Sequence, residues 1–331
     1  MDSSFVFFIL LLLSFAVVGF SQTNFFARHS WTDLKNPVNL VLFQAPSHSY
    51  SEHLPTDQIK KPWNIESTIP AYRKVFYDDD VAMNDRRWIL MSHGNAEDLM
   101  QCHPQVERMS KDLLADVIVW DYAGYGLNPL NEYERTPEGI NRSLEAVYHH
   151  MIKLGYHYKH CVLWGYSLGT GPTTAFAAKL NQTENTNIAG VVLQSPYTSI
   201  EGVYKHVAPS IVSSWVSIDK RWDSEANIAQ VKDPVLILHG QRDGMIPVSH
   251  GSKLNEACEQ AKFVVFQHTG HTNFDYTLVT KEVQKWIKLF LDAKLMQEEE
   301  EKLKEKWKQE AGKGLGKGLG KEAGNDNLNK E

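Results

Sequence analysis

The chain has 331 residues, of which 42% are hydrophobic and 22% charged, and a formal net charge of -6. That balance suits a globular protein with a sizeable core, and without a basic stripe interleaved with aromatics it gives no reason to expect a nucleic-acid partner. Three cysteines, Cys102, Cys161 and Cys258, are odd in number and widely spread, which argues against a disulfide framework or a Cys-x-x-Cys metal site and leaves one bridge at most.

Residues 1–21 come first in the chain. Phe5 to Phe20 is an apolar run broken only by Ser14 and Gly19, and Gly19 and Ser21 suit cleavage before Gln22. The run is short for a bilayer span and reads as a cleaved secretory signal. Asp2 stands in the n-region with no Lys or Arg, so a retained N-terminal membrane anchor is the alternative. Either reading predicts the secretory pathway, secreted or lumenal, or attachment to a membrane. On that route Asn141 and Asn181, both in Asn-x-Ser/Thr triplets, are glycosylation candidates. Asn181, after a predicted helix, is expected to be the more accessible.

A linker over 22–37 leads into a domain expected over 38–296. Val38 to Phe43 and Ala71 to Tyr77 read as an antiparallel lead-in. A regular alternation follows. Strands are predicted at Trp88–Met91, Val117–Trp120, Cys161–Trp164, Gly190–Leu193, Val235–Leu238 and Phe263–Phe266. Helices are predicted near Ala96–Leu114, Pro137–Leu154, Leu168–Leu180, Val248–Cys258 and Thr277–Met296. Strands that are apolar throughout, alternating with helices, imply an α/β fold: a mostly parallel sheet with helices on both faces. Ser199 to Asp233, with Tyr204, Trp215 and Trp222, is long for a crossover and reads as a small helical cap. A plain connecting helix with packing aromatics is the alternative. Residues 297–331 begin as a charged run and pass into a Gly/Lys-rich tail read as disordered. The tail is no phosphate loop, since no Ser or Thr follows a lysine at the required spacing.

In such a sheet chemistry gathers at the carboxyl ends of the strands. At one of these ends Gly165-Tyr166-Ser167-Leu168-Gly169 follows an apolar run and precedes a helix. Glycines two residues either side of a serine leave room for a sharp strand-to-helix reversal that lifts the hydroxyl clear of the sheet. The bare pattern recurs by chance in roughly one chain in ten of this length, so it gains weight only with partners. A serine hydroxyl is a poor nucleophile until a base takes its proton. Asp243, in HGQRDGMIP after one predicted strand, and His271, in HTGHTNF after the last, supply acid and base in the order serine, acid, histidine. Backbone N–H groups of Leu168 and of Asn95, after His93-Gly94, are the candidate oxyanion donors.

Other assignments compete. Asp219 or Asp223 could supply the acid from the cap, and His268 could replace His271. His93 and His239 are expected to hydrogen-bond loop backbone, and Asp121 to tie down its own turn. His149, His150, His157 and His160 lack carboxylate or cysteine partners and read as surface, so neither metal nor cofactor is expected. Leu99, Tyr125, Tyr197, Trp215 and Met245 are candidate pocket residues for an apolar acyl group.

HGNAEDL at 93–99, DYAGYG at 121–126, GYSLGTGPT at 165–173, QSPYTSI at 194–200, HGQRDGMIPVSHG at 239–251 and HTGHTNF together resemble the α/β-hydrolase-domain serine hydrolases. That group includes membrane-associated protein depalmitoylases and serine aminopeptidase-like domains. The resemblance runs from about Leu42 to Leu291. It implies an α/β-hydrolase fold, with Ser167, Asp243 and His271 as nucleophile, acid and base, and adds the thioester of S-acyl cysteine to the substrate candidates. Depalmitoylase relatives acting on cytosolic proteins carry a cysteine-rich N-terminal segment, whereas here no cysteine precedes Cys102. The expectation is an ester or thioester hydrolase; a peptidase of the same fold and a ligand-binding pseudoenzyme are the alternatives.

Overall fold

The computed structural model describes residues 43, 45, 69–126, 128, 136–207 and 221–289. It divides into two compact units, Met1–Lys281 and Glu282–Glu331. In the second, residues 282–289 are helical, with Lys285 paired to Glu282 at 2.6 Å. The first unit carries the sheet. Leader, linker, residues 208–220 with Trp215 and Asp219, and the tail lie outside the described residues.

Among the described residues seven strands lie in the order β1-β3-β2-β4-β5-β6-β7. They are β1 (Ala71–Lys74), β2 (Trp88–Ser92), β3 (Asp116–Trp120), β4 (Cys161–Tyr166), β5 (Gly190–Gln194), β6 (Val235–Gly240) and β7 (Ala261–Phe266). β1 runs antiparallel to β3, and every other pairing is parallel. The helices are α1 (Leu99–Leu113), α2 (Pro137–Lys153), α3 (Thr170–Thr183), α4 (Ile200–Val207), α5 (Ser224–Ile228) and α6 (Val248–Glu256), and residues 276–281 are also helical.

Both faces of the sheet are covered because β2 to β6 are buried at every position. Alternate residues face opposite sides. Trp88 of β2 meets Tyr148 of α2 with ring centroids 5.7 Å apart. Its neighbour but two, Met91, faces α1, where Gln105 Nε2 lies 3.9 Å from its sulfur. All three cysteines are free and buried. Cys161 sits inside β4 as an apolar filler, and burial pushes its thiol well up.

Local signals explain where the elements begin and end. α1 starts at Leu99 rather than Ala96 because Ala96 has φ of 58° and Asp98 caps the helix, accepting from Met100 N and Gln101 N at 3.1 Å while Gln101 reaches back to Asp98 N. The strand expected over Ala71–Tyr77 ends at Lys74 because Asp116, buried at the start of β3, takes Phe76 N at 2.6 Å and draws the chain off the sheet. Of the strand expected at Val38–Phe43 only Phe43 is described, and it is buried but in no strand. The predicted cap region contributes α4 and α5, rooted where His250 Nδ1 accepts from Thr198 Oγ1 at 2.9 Å.

Asn181 is 3% exposed, which corrects its expected accessibility. Its amide nitrogen donates to Asp233 Oδ2 at 2.9 Å and Thr186 O at 3.0 Å, and its oxygen accepts from Lys232 N at 2.7 Å. The residue clamps two loops together. Asn141, partly buried, accepts from Trp222 Nε1 at 2.8 Å, so both glycosylation candidates have their side chains engaged.

The turn after β4 depends on two close approaches. A β-carbon on Gly165 would stand 2.7 Å from Gly169 O and 2.7 Å from Thr170 Cα; one on Gly169 would overlap Ser92 O and stand 2.7 Å from His93 O. Both obstacles are backbone and cannot swing aside. Gly169→Ala is therefore expected to cost about 3 kcal/mol or more in urea unfolding, and an unchanged midpoint would refute this account of the turn. A second prediction concerns Asp233, whose carboxyl burial pushes up from 3.8 to about 6 against the opposing bonds from Asn181 and the Ile188 N–H. The folded state holds this proton more tightly than the unfolded chain, so the stability contribution is full below about pH 4 and lost as pH rises through about 6. Asp233→Asn should match wild type in melting temperature near pH 4 and exceed it above about pH 7; an identical pH slope in the two proteins would contradict this.

Candidate active site

β2 and β4 are neighbours, with Ser92 opposite Gly165, so the loops that leave them emerge side by side. The β4 loop turns through a 3-10 segment, Ser167–Gly169, directly into α3. Ser167 has φ of 49°, a left-handed conformation that costs a non-glycine residue energy and that the surrounding packing must hold in place. Its hydroxyl lies 2.8 Å from His271 Nε2, and His271 Nδ1 lies 2.7 Å from Asp243 Oδ2. Three residues from the ends of β4, β6 and β7 thus form one hydrogen-bonded chain. Its polarity is fixed by the carboxylate, which can only accept, so Nδ1 carries the ring hydrogen and Nε2 is left to accept from the serine.

Asp243 sits on a turn after β6 and is 7% exposed. Burial pushes its carboxyl up, yet the bonds from His239, His271 and Ile246 N–H outweigh burial and hold it well below the usual carboxylate range. Oδ1 accepts from Met245 N at 2.9 Å and Ile246 N at 2.8 Å, leaving Oδ2 aimed at the imidazole. Gly240 is needed behind this arrangement, because a β-carbon there would stand 2.5 Å from Gly270 O in the His271 loop.

Asp219 lies outside the described residues, and the described competitors are engaged elsewhere. Asp223 caps α5, accepting from Ala226 N at 3.1 Å, and His268 is an exposed neighbour of Arg242 Nη2 at 3.3 Å. His93 Nδ1 bonds Gly94 O at 2.8 Å, and burial lowers its pKa to about 4. His239 Nε2 bonds Ile246 O at 2.8 Å. Both histidines meet loop backbone, as their sequence positions led us to expect. Asp121 does not stay within its own turn: its carboxylate crosses to Leu99 N at 3.1 Å and so ties the start of α1 to the end of β3.

Asn95 lies on the loop beside the elbow, and its side-chain oxygen accepts from Tyr125 Oη at 2.6 Å. Leu168 follows Ser167 in the elbow, and Tyr197 Oη braces it from behind through Leu168 O at 3.0 Å. Among the pocket candidates Leu99, Tyr125 and Tyr197 are buried and Met245 is 46% exposed.

Two neighbours of the site went unread in the sequence. Tyr166 stacks on His271, with centroids 5.9 Å apart, and donates to His271 O at 3.1 Å; an aromatic immediately before the elbow serine was the available signal. Glu97, partly buried, accepts from Gly94 N at 2.8 Å. Burial raises its pKa against the opposing Gly94 N–H and His271. Within HGNAEDL it gave no signal of its own, since a loop glutamate is ordinarily solvated. Among the described residues no group of three or more His, Cys, Asp or Glu could hold a metal ion.

The family model described as TAP-like protein matches residues 212–297, a stretch that contains Asp243 and His271. The chain is 30% identical over 210 residues to L404 of Acanthamoeba polyphaga mimivirus, a protein named as an alpha/beta hydrolase, covering 62% of this chain and 74% of that relative. It is 28% identical over 180 residues to human alpha/beta hydrolase domain-containing protein 17B, covering 54% of this chain and 57% of the relative. The 17C protein of Xenopus tropicalis is 30% identical over 179 residues, 53% of each chain. The chain spans about half the length of these last two relatives. Solved structures that share the fold include MGS-M2, an alpha/beta hydrolase enzyme from a deep-sea metagenome library, at TM-score 0.50 and 15% identity over 68% of this chain and 95% of that one. A thermophilic esterase from Thermogutta terrifontis superposes at TM-score 0.50 and 18% identity, over 67% of this chain and 94% of its own. With the sheet order, the elbow and a relative matched over most of its length, the chain belongs to the α/β-hydrolase family.

Proposed function

We propose that the protein is a serine hydrolase that cleaves an ester or thioester bearing an apolar acyl group by way of an acyl-enzyme. The observation that carries this reading is the unbroken Ser167–His271–Asp243 chain at 2.8 and 2.7 Å, built on an elbow that presents the serine at φ 49°. In the reaction Ser167 Oγ attacks the acyl carbon as His271 Nε2 takes its proton. The ionised Asp243 balances the imidazolium, which then protonates the leaving group, and water enters by the reverse path to release the acid. Leu168 N–H and Asn95 N–H are the donors proposed for the oxyanion.

The motifs shared with protein depalmitoylases make the thioester of S-acyl cysteine the first substrate class to try. Apolar Leu99 beside the Asn95 loop supports an apolar acyl part. The leader at Phe5–Phe20 supports a setting at or across a membrane, where such acyl groups are found; among the described residues no helix is long and apolar enough to span one.

Wild-type protein should react with a fluorophosphonate probe at Ser167 and hydrolyse an acyl thioester or p-nitrophenyl ester faster than a matched peptide amide. Ser167→Ala should remove labelling and lower kcat by about 10⁶. Asp243→Asn should lower kcat by about 10⁴, because an amide can hold the imidazole in the wrong tautomer. Labelling that survives Ser167→Ala, or preference for the peptide, would overturn the reading.

A further inference from the structure

Beyond His271, Asp243 has a second histidine neighbour. His239 is fully buried at the end of β6. Its Nε2 bonds Ile246 O at 2.8 Å and lies 3.5 Å from Asp243 Oδ2. Both neighbours are acceptors, so Nε2 carries the hydrogen. The Ile246 peptide is held from both sides, since its N–H donates to Asp243 Oδ1 at 2.8 Å and its carbonyl accepts from His239. The other ring nitrogen, Nδ1, is buried without a hydrogen-bond partner. It faces the backbone of α6 at Gly251, where a β-carbon would stand 2.7 Å from it and 2.9 Å from Phe263 Cε2. A buried imidazole that leaves one nitrogen unsatisfied costs stability that an apolar residue of the same size would avoid. The arrangement makes sense when the opposite N–H is the part the site needs.

We infer that His239 is a positioning residue for the hydrolytic chain: its Nε2–H locks the Asp243–Ile246 turn and presents a second N–H edge to Asp243 Oδ2, so that the carboxylate stays aligned on His271, with Gly251 providing the space the ring requires. This rests on the proposed hydrolase reading for its consequence in rate, though the geometry it describes can be tested without turnover. In that geometry Oδ2 lies between two imidazoles, one 2.7 Å away and one 3.5 Å away. Without the second, the Ile246 carbonyl loses its side-chain donor and Oδ2 is left with His271; backbone bonds such as Asp243 N to Gly240 O at 3.2 Å still close the turn, but the carboxylate can pivot about Oδ1 off the His271 axis. A misplacement on the order of 1 Å near a reacting group lowers rates about 10²-fold.

The test compares the full chain carrying His239→Gln, whose amide N–H reaches the Nε2 position, with His239→Leu, which removes the donor at similar volume. Gly251→Ala displaces the intact ring, and His239→Asn keeps an amide that falls short of Asp243. Two quantities are read: the rate of fluorophosphonate labelling at Ser167, and the low-field proton NMR resonance of the His271 Nδ1–H. Expected are labelling about 10²-fold slower in the Leu, Asn and Gly251→Ala proteins with that resonance displaced or lost, and near wild-type behaviour in the Gln protein. The inference is overturned if the Leu and Asn proteins keep both the wild-type rate and the wild-type resonance, or if Gln is as impaired as Leu. Should Leu fail to fold, Gln against Asn decides. Should wild type not label at all, the hydrolase reading fails by itself, and the resonance alone decides the positioning role.

Discussion

The backbone of Gly169 passes against the carbonyls of Ser92 and His93 with no room for a β-carbon, and the site follows from that contact. It brings the start of α3 onto the end of β2, closing the turn after β4 within a few residues. Ser167 is left at the apex in a left-handed conformation. The same contact sets the Asn95 loop beside the serine, because β2 and β4 are adjacent in the sheet. A looser turn would let Ser167 relax to ordinary φ and drop its hydroxyl back toward the strand.

Around this apex the structure spends its polar interactions on orientation. Asp243 receives two backbone N–H groups on one oxygen and an imidazole on the other; Tyr166 holds the backbone and ring of His271; and Tyr197 and Asp121 fix the elbow and the start of α1 from behind. Each of these groups is buried or nearly so. In a region of low dielectric an unmatched carboxylate would protonate, whereas Asp243 is held ionised by donors that outweigh its burial. Depth of burial and constancy of direction are here one property, because a side chain that cannot reach water must keep the partners it has.

His93 and His239 are buried at strand ends on the same sheet edge as His271, and His250 is partly buried on α6 nearby. Their environments separate them from His271. His93 and His250 are pushed down to about 4 chiefly by burial; His93 bonds the adjacent Gly94 O, and His250 ties α6 to Thr198. His271 alone is placed between a carboxylate and a hydroxyl. The distinction rests on partners, since His93, His239, His250 and His271 each adjoin a glycine in the chain.

Strand and helix positions were legible in the sequence because apolar runs at 88–91, 117–120, 161–164, 190–193 and 235–238 alternate with helix-compatible stretches, whereas the cap at Asp98 that sets the start of α1 was not. The elbow was legible because its steric demand selects glycine at fixed spacing, and the order serine, acid, histidine followed from which strand ends carry polar residues. Tertiary structure alone decided which atoms meet. The burial of Asn181 against Asp233, the reach of Asp121 to Leu99, the truncation of β1 by Asp116 and the double contact of His239 are set by residues 22 to 52 positions apart or by an exact loop path. Such contacts leave no periodic trace in the chain, because they arise from the angle at which packed elements deliver a side chain and not from the composition of the segment that carries it.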